Sequence, residues 1–125
     1  MDRAFLALGA ASAFLAVAAG AFGAHGLRDR ISVDALGIFQ TGTQYHVYHA
    51  LALLAVGLLL GKVASGGVPW LVAAGWLFAV GTVLFSGSLY LLALTDVRWL
   101  GAITPLGGLA FLAGWVALGV GAWRG

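Results

Sequence analysis

The sequence predicts an all-α membrane protein: a four-transmembrane-helix bundle with short loops and an interfacial lead-in to the second helix. Three observations predict it. Hydrophobic residues make up 62% of the 125 and charged ones only 8%, which does not describe a water-soluble surface. The charges are Asp2, Arg3, Arg28, Asp29, Arg30, Asp34, Lys62, Asp96, Arg98 and Arg124, confined to chain ends and short clusters. Between them lie uncharged stretches from Ala4 to Leu27, Ala35 to Gly61, Val63 to Thr95 and Trp99 to Trp123. Each exceeds the roughly 20 residues that cross a hydrocarbon core at 1.5 Å rise per residue. The whole chain, 1–125, is one transmembrane domain.

Helix one is expected over about 4–24, closing at Gly26, where a left-handed cap is easy for glycine and lets the chain turn. Its Ala-rich start resembles a secretory signal ending in AFGA, but the apolar run is longer than a signal core of about 7 to 15 residues, so a retained helix is expected. LRDRISVD is the one clearly soluble loop, and Ser32 or Asp34 can cap helix two, placed at about 35–61. That helix opens semi-polar, with Gln40, Thr41, Thr43 and Gln44, before the apolar ALALLAVGLLL. Tyr45 and Tyr48 then suit headgroup level. GKVASGGVP is a glycine-rich turn, and Pro69 opens helix three, about 69–94, where its missing N–H is harmless. Helix four, about 99–123, either starts at Trp99 and kinks or starts with Thr104 as cap and Pro105 in the first turn.

Twenty glycines in such a chain need a reason, since each costs about 1 kcal/mol relative to alanine inside a helix. Close helix packing supplies one, and four-residue strips of small residues are present: Ala16, Gly20 and Ala24; Gly57 and Gly61; Ala113, Ala117 and Gly121.

Composition also excludes function classes. The net charge of +2 is scattered, leaving no cationic patch for a nucleic acid. Without cysteine there are no disulfides, thiolate metal sites, iron–sulfur clusters or cysteine nucleophiles. GAFGAHG closes a helix instead of opening one after a strand, so it is no dinucleotide fingerprint. There is no HExxH, GxSxG or P-loop, and no carboxylate pair placed for acid–base work. An enzyme is not expected, and no cofactor is assigned.

With four crossings, the polar side chains sort to the side of the first and third loops. His25 ends helix one, Gln44, His46 and His49 open helix two, Ser86, Ser88, Tyr90 and Thr95 follow the end of helix three, and Thr104 opens helix four. Ser86 lies about 15 Å inside the span, counted back from Asp96 at 1.5 Å per residue. SGS and the Pro105 break could therefore frame a polar recess, whose members must bond one another, carbonyls or water. The candidate ligand-binding set is His25, Gln44, His46, His49, Ser86, Ser88, Tyr90 and Thr104. His46 and His49, at i and i+3, share a helical face. With His25 and Asp96 they make a conceivable metal or haem set, ranked below a proton-linked or ligand-binding role and below a purely structural polar cluster.

The blocks GAFGAHGL, YHVYHALALL, LFSGSLYLLAL and GAITPLGGLAFLAGW, in this order, resemble the YgdD/YwdK-like small integral membrane proteins, the domain of unknown function 423 family. The resemblance covers essentially the whole chain. It implies four helices in a bacterial cytoplasmic (inner) membrane and brings no activity with it. Asp96 departs from the family pattern, which has glycine or another residue after LLALT, and this weakens it as a general ligand.

The expected function is a non-enzymatic accessory or lipid- or ligand-binding component with a polar cluster near one membrane face. Its partners are the lipid bilayer and either further copies of itself or a larger membrane assembly. An oligomeric small transporter or channel with a histidine-linked recess is the alternative, and a haem or metal protein the next. Charge does not orient the chain, because Arg3, Lys62 and Arg124 balance Arg28, Arg30 and Arg98.

Overall fold

A computed structural model describes residues 1–125. Helix α1 (Asp2–Ala21) runs on into a π-helical turn (Phe22–Gly26), followed by α2 (Val33–Leu60), α3 (Val68–Thr95), a 3₁₀ turn (Arg98–Ala102) and α4 (Thr104–Arg124). Four helices are long and apolar enough to cross a membrane. The protein is all-α, and its lipid-facing positions carry Phe14, Leu51, Leu58, Val83, Leu109 and Leu112, all exposed in the isolated chain.

The helix ends show how the backbone solves each turn. No glycine in the chain has a positive φ, so the left-handed cap expected at Gly26 is absent. Helix one instead widens: Leu27 N–H donates to the Phe22 carbonyl, five residues back, at 3.0 Å, and Leu27 is buried against Phe39 and Ala93. Gly26 is required there by size, because a Cβ would meet the Phe22 ring at 2.7 Å. Ser32 caps α2, its Oγ accepting from Ala35 N–H at 3.0 Å, which satisfies one of the free donors of a helix start. The left-handed residue is Asp96, φ 55°, closing α3 with its N–H on the Leu92 carbonyl; aspartate tolerates this conformation better than most residues. Thr104 does not cap α4. Ile103 holds that position, and Thr104 is the first helical residue, directly before Pro105.

Each helix packs on its sequence neighbour, while α4 meets α2 only lightly. Side-chain contacts place α1 and α4 on opposite flanks of the central α2–α3 pair: α2 meets Ser12 of α1 through His46 and Trp115 of α4 through His49. A single apolar core toward the terminal side joins all four helices through Phe5, Leu53, Val56, Leu71, Phe78, Phe111 and Ala117. Phe5 reaches across to α3, over Gly75 and edge-on to Trp76 with ring centroids 5.4 Å apart. The small-residue strips are only partly used: a Cβ at Gly20 would meet nothing within 4 Å. On α4 the buried glycines are Gly107, Gly114 and Gly121, a seven-residue repeat that keeps one seam facing α3, as in left-handed helix packing.

Candidate functional site

Hydroxyl and imidazole groups inside these helices have no water to turn to, so their partners define the site. His46 and His49 both point inward, 6% and 3% exposed, but the three-residue step between them rotates one toward each flank of the α2–α3 pair. They belong to two separate polar sites.

On the α1 flank, His46 Nδ1 lies 2.8 Å from the Tyr90 hydroxyl and Nε2 lies 3.0 Å from Ser12 Oγ. The trio thus ties α2 to α3 and α1. Beside it runs a groove of about 390 Å³ between α1 and α3, walled by hydrocarbon from Leu8, Leu15, Leu53 and Val83, with His46, Ser12 and Tyr90 at its floor. The groove exists because α1 touches α3 chiefly through Phe5 and stands away from it beyond that point. Its volume falls in the range of about 300–1,000 Å³ common for small-molecule sites.

On the α4 flank, His49 Nδ1 sits 2.7 Å from the Tyr45 carbonyl, which can only accept, so Nδ1 carries the proton. Nε2 then accepts from Trp115 Nε1–H at 3.0 Å. Both nitrogens are satisfied, and the ring is stacked on Phe111 at 3.4 Å with an interplanar angle of 4°. His49 is a cross-brace between α2 and α4 with no lone pair free for a ligand.

The serines of SGS link helices. Ser86 donates to the Gly42 carbonyl of α2 at 2.7 Å, and Ser88 Oγ pairs with Thr104 Oγ1 of α4 at 2.6 Å. Interhelical hydroxyl bonds inside membranes average about 0.6 kcal/mol by double-mutant cycles. A cycle of Ser88→Ala and Thr104→Val, read by dodecyl sulfate unfolding of the purified protein, is expected to return a coupling of about that size. Additive effects would show that the short contact contributes nothing.

The remaining sequence candidates lie elsewhere. His25 is exposed on the π turn, whose buried residue is Gly23. Gln44 is exposed and donates to the Tyr48 hydroxyl at 2.6 Å, a local pair along α2. Thr95 donates to its own helix at the Leu91 carbonyl. Asp96 is exposed at the loop end of α3. No three histidine or acidic side chains gather where a metal ion could be held, so the set His25, His46, His49 and Asp96 is not assembled: the first faces outward and the two buried rings face opposite flanks. The expected single cluster becomes two sites, one on each flank of the α2–α3 pair.

Two side chains of these polar sites, Ser12 and Trp115, are not among the candidates the sequence suggests. Ser12 is the only hydrogen-bonding side chain between Arg3 and His25, and that isolation was a usable signal, since a lone hydroxyl in hydrocarbon needs a partner. Trp115 carries an indole N–H, which also seeks an acceptor where water is absent.

A bundle of four apolar helices with two of its three histidines bonded inside defines a small integral membrane protein. The chain belongs to the family described as "Protein of unknown function (DUF423)", whose model matches residues 19–108. It is 51% identical to the UPF0382 membrane protein YwdK of Bacillus subtilis, over 96% of each chain. Similar relatives are UPF0382 membrane proteins of Staphylococcus saprophyticus, 48% identical over 98% of each chain, and of Staphylococcus epidermidis, 53% identical over 93% of this chain and 92% of the relative. No solved structure matches.

Proposed function

We propose that this protein is a non-enzymatic binding component of the bacterial cytoplasmic membrane, alone or within a larger assembly, that holds a hydrocarbon-tailed molecule in the groove between α1 and α3. The observation that carries the reading is the combination in one place of a hydrocarbon-walled groove and the His46 trio at its floor. Pockets of this kind, mostly apolar with a few convergent polar groups, are the usual form of ligand sites. Ser12 and His46 have the spacing of a nucleophile and base. Ser12, however, lies in mid-helix, where backbone N–H groups are bonded along the helix and none is free to stabilise an oxyanion. Binding is therefore favoured over catalysis. Helical spans and bacterial relatives support the cytoplasmic membrane as the location.

Gly87 provides the test. It lines the groove, and a Cβ there would meet nothing within 4 Å, so Gly87→Leu fills the groove without forcing a helix to move. Wild-type protein extracted gently from its own membrane is expected to carry a hydrocarbon-tailed molecule detectable by native mass spectrometry. Gly87→Leu should lose it, and Gly119→Leu, equally open but on α4, should keep it. Identical lipid profiles for all three proteins would end the reading.

A further inference from the structure

Four hydroxyl groups line the α1–α3 groove, and their protons can be followed one at a time. Thr82 donates to the Phe78 carbonyl at 2.8 Å and Ser86 to the Gly42 carbonyl at 2.7 Å, so neither has a hydrogen left for a ligand. Ser12 and Tyr90 are bonded through their side chains to His46 alone. A neutral imidazole has one N–H and one lone pair, so the trio holds three polar hydrogens, and its two internal bonds use two of them. The third is always left over. It is on Ser12 when Tyr90 donates to Nδ1 and Nε2–H donates to Ser12. It is on Tyr90 when Nδ1–H donates to Tyr90 and Ser12 donates to Nε2.

Neither hydroxyl has a protein acceptor for that hydrogen. Thr41, Thr82, Ser88 and Thr95 each donate to a carbonyl of their own helix, the usual outlet for a hydroxyl on an apolar helix, whereas Ser12 makes no such bond. An O–H without an acceptor is unfavourable in hydrocarbon, and both ends of the trio open on the groove.

We infer that the groove recognises an uncharged, hydrocarbon-tailed molecule bearing a carbonyl, ester or ether oxygen, which accepts the spare hydrogen of Ser12, His46 and Tyr90. This rests on the reading of the groove as a binding site. Charge and depth set the ligand class. No Asp, Glu, Lys or Arg lines the groove, so an ionised ligand would find no counter-charge. His46 stands near the midpoint of α2, about 20 Å along the helix from either end at 1.5 Å per residue, which also puts Tyr45 and Tyr48 well inside the span and not at the headgroup level the sequence suggests. Charged headgroups do not descend to that level without large cost. The oxygen belongs to a molecule that lies wholly within the membrane core. Tautomer exchange at His46 moves the spare donor from one end of the trio to the other, so the ligand can be met at the α1 wall or the α3 wall.

The test uses the full chain in lipid nanodiscs, titrated with a long-chain ketone carrying an isotope-labelled carbonyl, the alkane of equal length and the fatty acid of equal length. Native mass spectrometry reads occupancy, and infrared spectroscopy reads the carbonyl stretch. The ketone is expected to be held about fivefold better than the alkane, the ratio that one net hydrogen bond of ~1 kcal/mol produces, with its carbonyl band moved to lower frequency. Single substitutions still leave a spare donor, so the informative variant combines Ser12→Ala, His46→Leu and Tyr90→Phe. It should lose the ketone preference and the band shift while retaining the alkane. Should that variant fail to assemble, the wild-type ratio and band position decide. Equal ketone and alkane binding with no band shift overturns the inference and leaves the groove reading standing. A preference for the fatty acid also overturns it. If all three probes fail to bind, groove and inference fall together.

Discussion

Gly107→Leu is expected to prevent the folded protein from accumulating. A Cβ at this position would overlap the Phe85 backbone nitrogen, and would lie 2.7 Å from Phe85 Cβ and 2.8 Å from its Cα. Backbone atoms cannot rotate away as a flexible side-chain end can, so α4 must shift off α3 as a body. Overpacking a tight core costs about 1–3 kcal/mol for modest insertions, and a leucine at a backbone crossing should exceed ~3 kcal/mol. That is a large part of the 5–15 kcal/mol or so typical of domain stability. The same displacement would separate Ser88 from Thr104 and open the seam along Gly114 and Gly121. Gly119→Leu is the control, with open space at its Cβ and an expected change within about 0.5 kcal/mol. Yield in native membrane and dodecyl sulfate unfolding midpoints check both. Equal behaviour of the two variants would mean that the α3–α4 crossing is looser than described.

The contrast between Gly107 and Gly119 shows what the sequence could and could not say about packing. Glycine abundance announced close helix approaches, and the spans themselves were legible because hydrocarbon thickness fixes their length and apolarity. Which glycines face a neighbour depends on helix rotation, and that is set by partners distant in sequence. The four-residue strip on α4 is only partly buried, with Ala117 and Gly121 inside and Ala113 exposed, while the buried glycines Gly107, Gly114 and Gly121 repeat every seven residues; in a chain this rich in small residues both periods occur together. The Gly26 turn failed for a different reason. Its glycine is needed for lack of bulk beside Phe22, not for a left-handed φ, and the two demands leave the same letter in the sequence.

The candidate site was legible in its residue types more than in its grouping. The need for each polar side chain to find a partner correctly drew His46, Ser86, Ser88, Tyr90 and Thr104 into helix–helix contacts. Counting along α3 placed Ser86 deep in the span, but neither the flank a side chain faces nor the level of one helix against another could be counted. His46 and His49 share a face at sequence resolution, yet the rotation of about 60° between i and i+3 is enough to send one ring toward α1 and the other toward α4. His25 shows both limits. Ser12, the α1 residue bonded to His46, lies about 20 Å further back along the helix at 1.5 Å per residue, and the π turn buries Gly23 and leaves the His25 imidazole outside.

That division of labour between the two buried histidines leads to the second large effect. His49→Ala is expected to destabilise the fold by about 3–5 kcal/mol, the range for truncating a large buried ring to alanine. The ring is enclosed by Phe111 at 3.4 Å, Phe78 at 5.5 Å and Trp115 at 5.8 Å between centroids, so alanine leaves a cavity between α2, α3 and α4. It also strands the Trp115 N–H, whose acceptor was His49 Nε2. His49→Phe separates the two contributions. It refills the space and removes only the acceptor, with an expected loss of about 1–3 kcal/mol for one unsatisfied donor. The predicted order of dodecyl sulfate unfolding midpoints is therefore wild type, then His49→Phe, then His49→Ala. Neither variant should alter what the α1–α3 groove binds, because His49 does not line it. If His49→Ala unfolds like wild type but loses the bound molecule, His49 is a ligand contact instead of a brace, and the assignment of the two histidines must be exchanged.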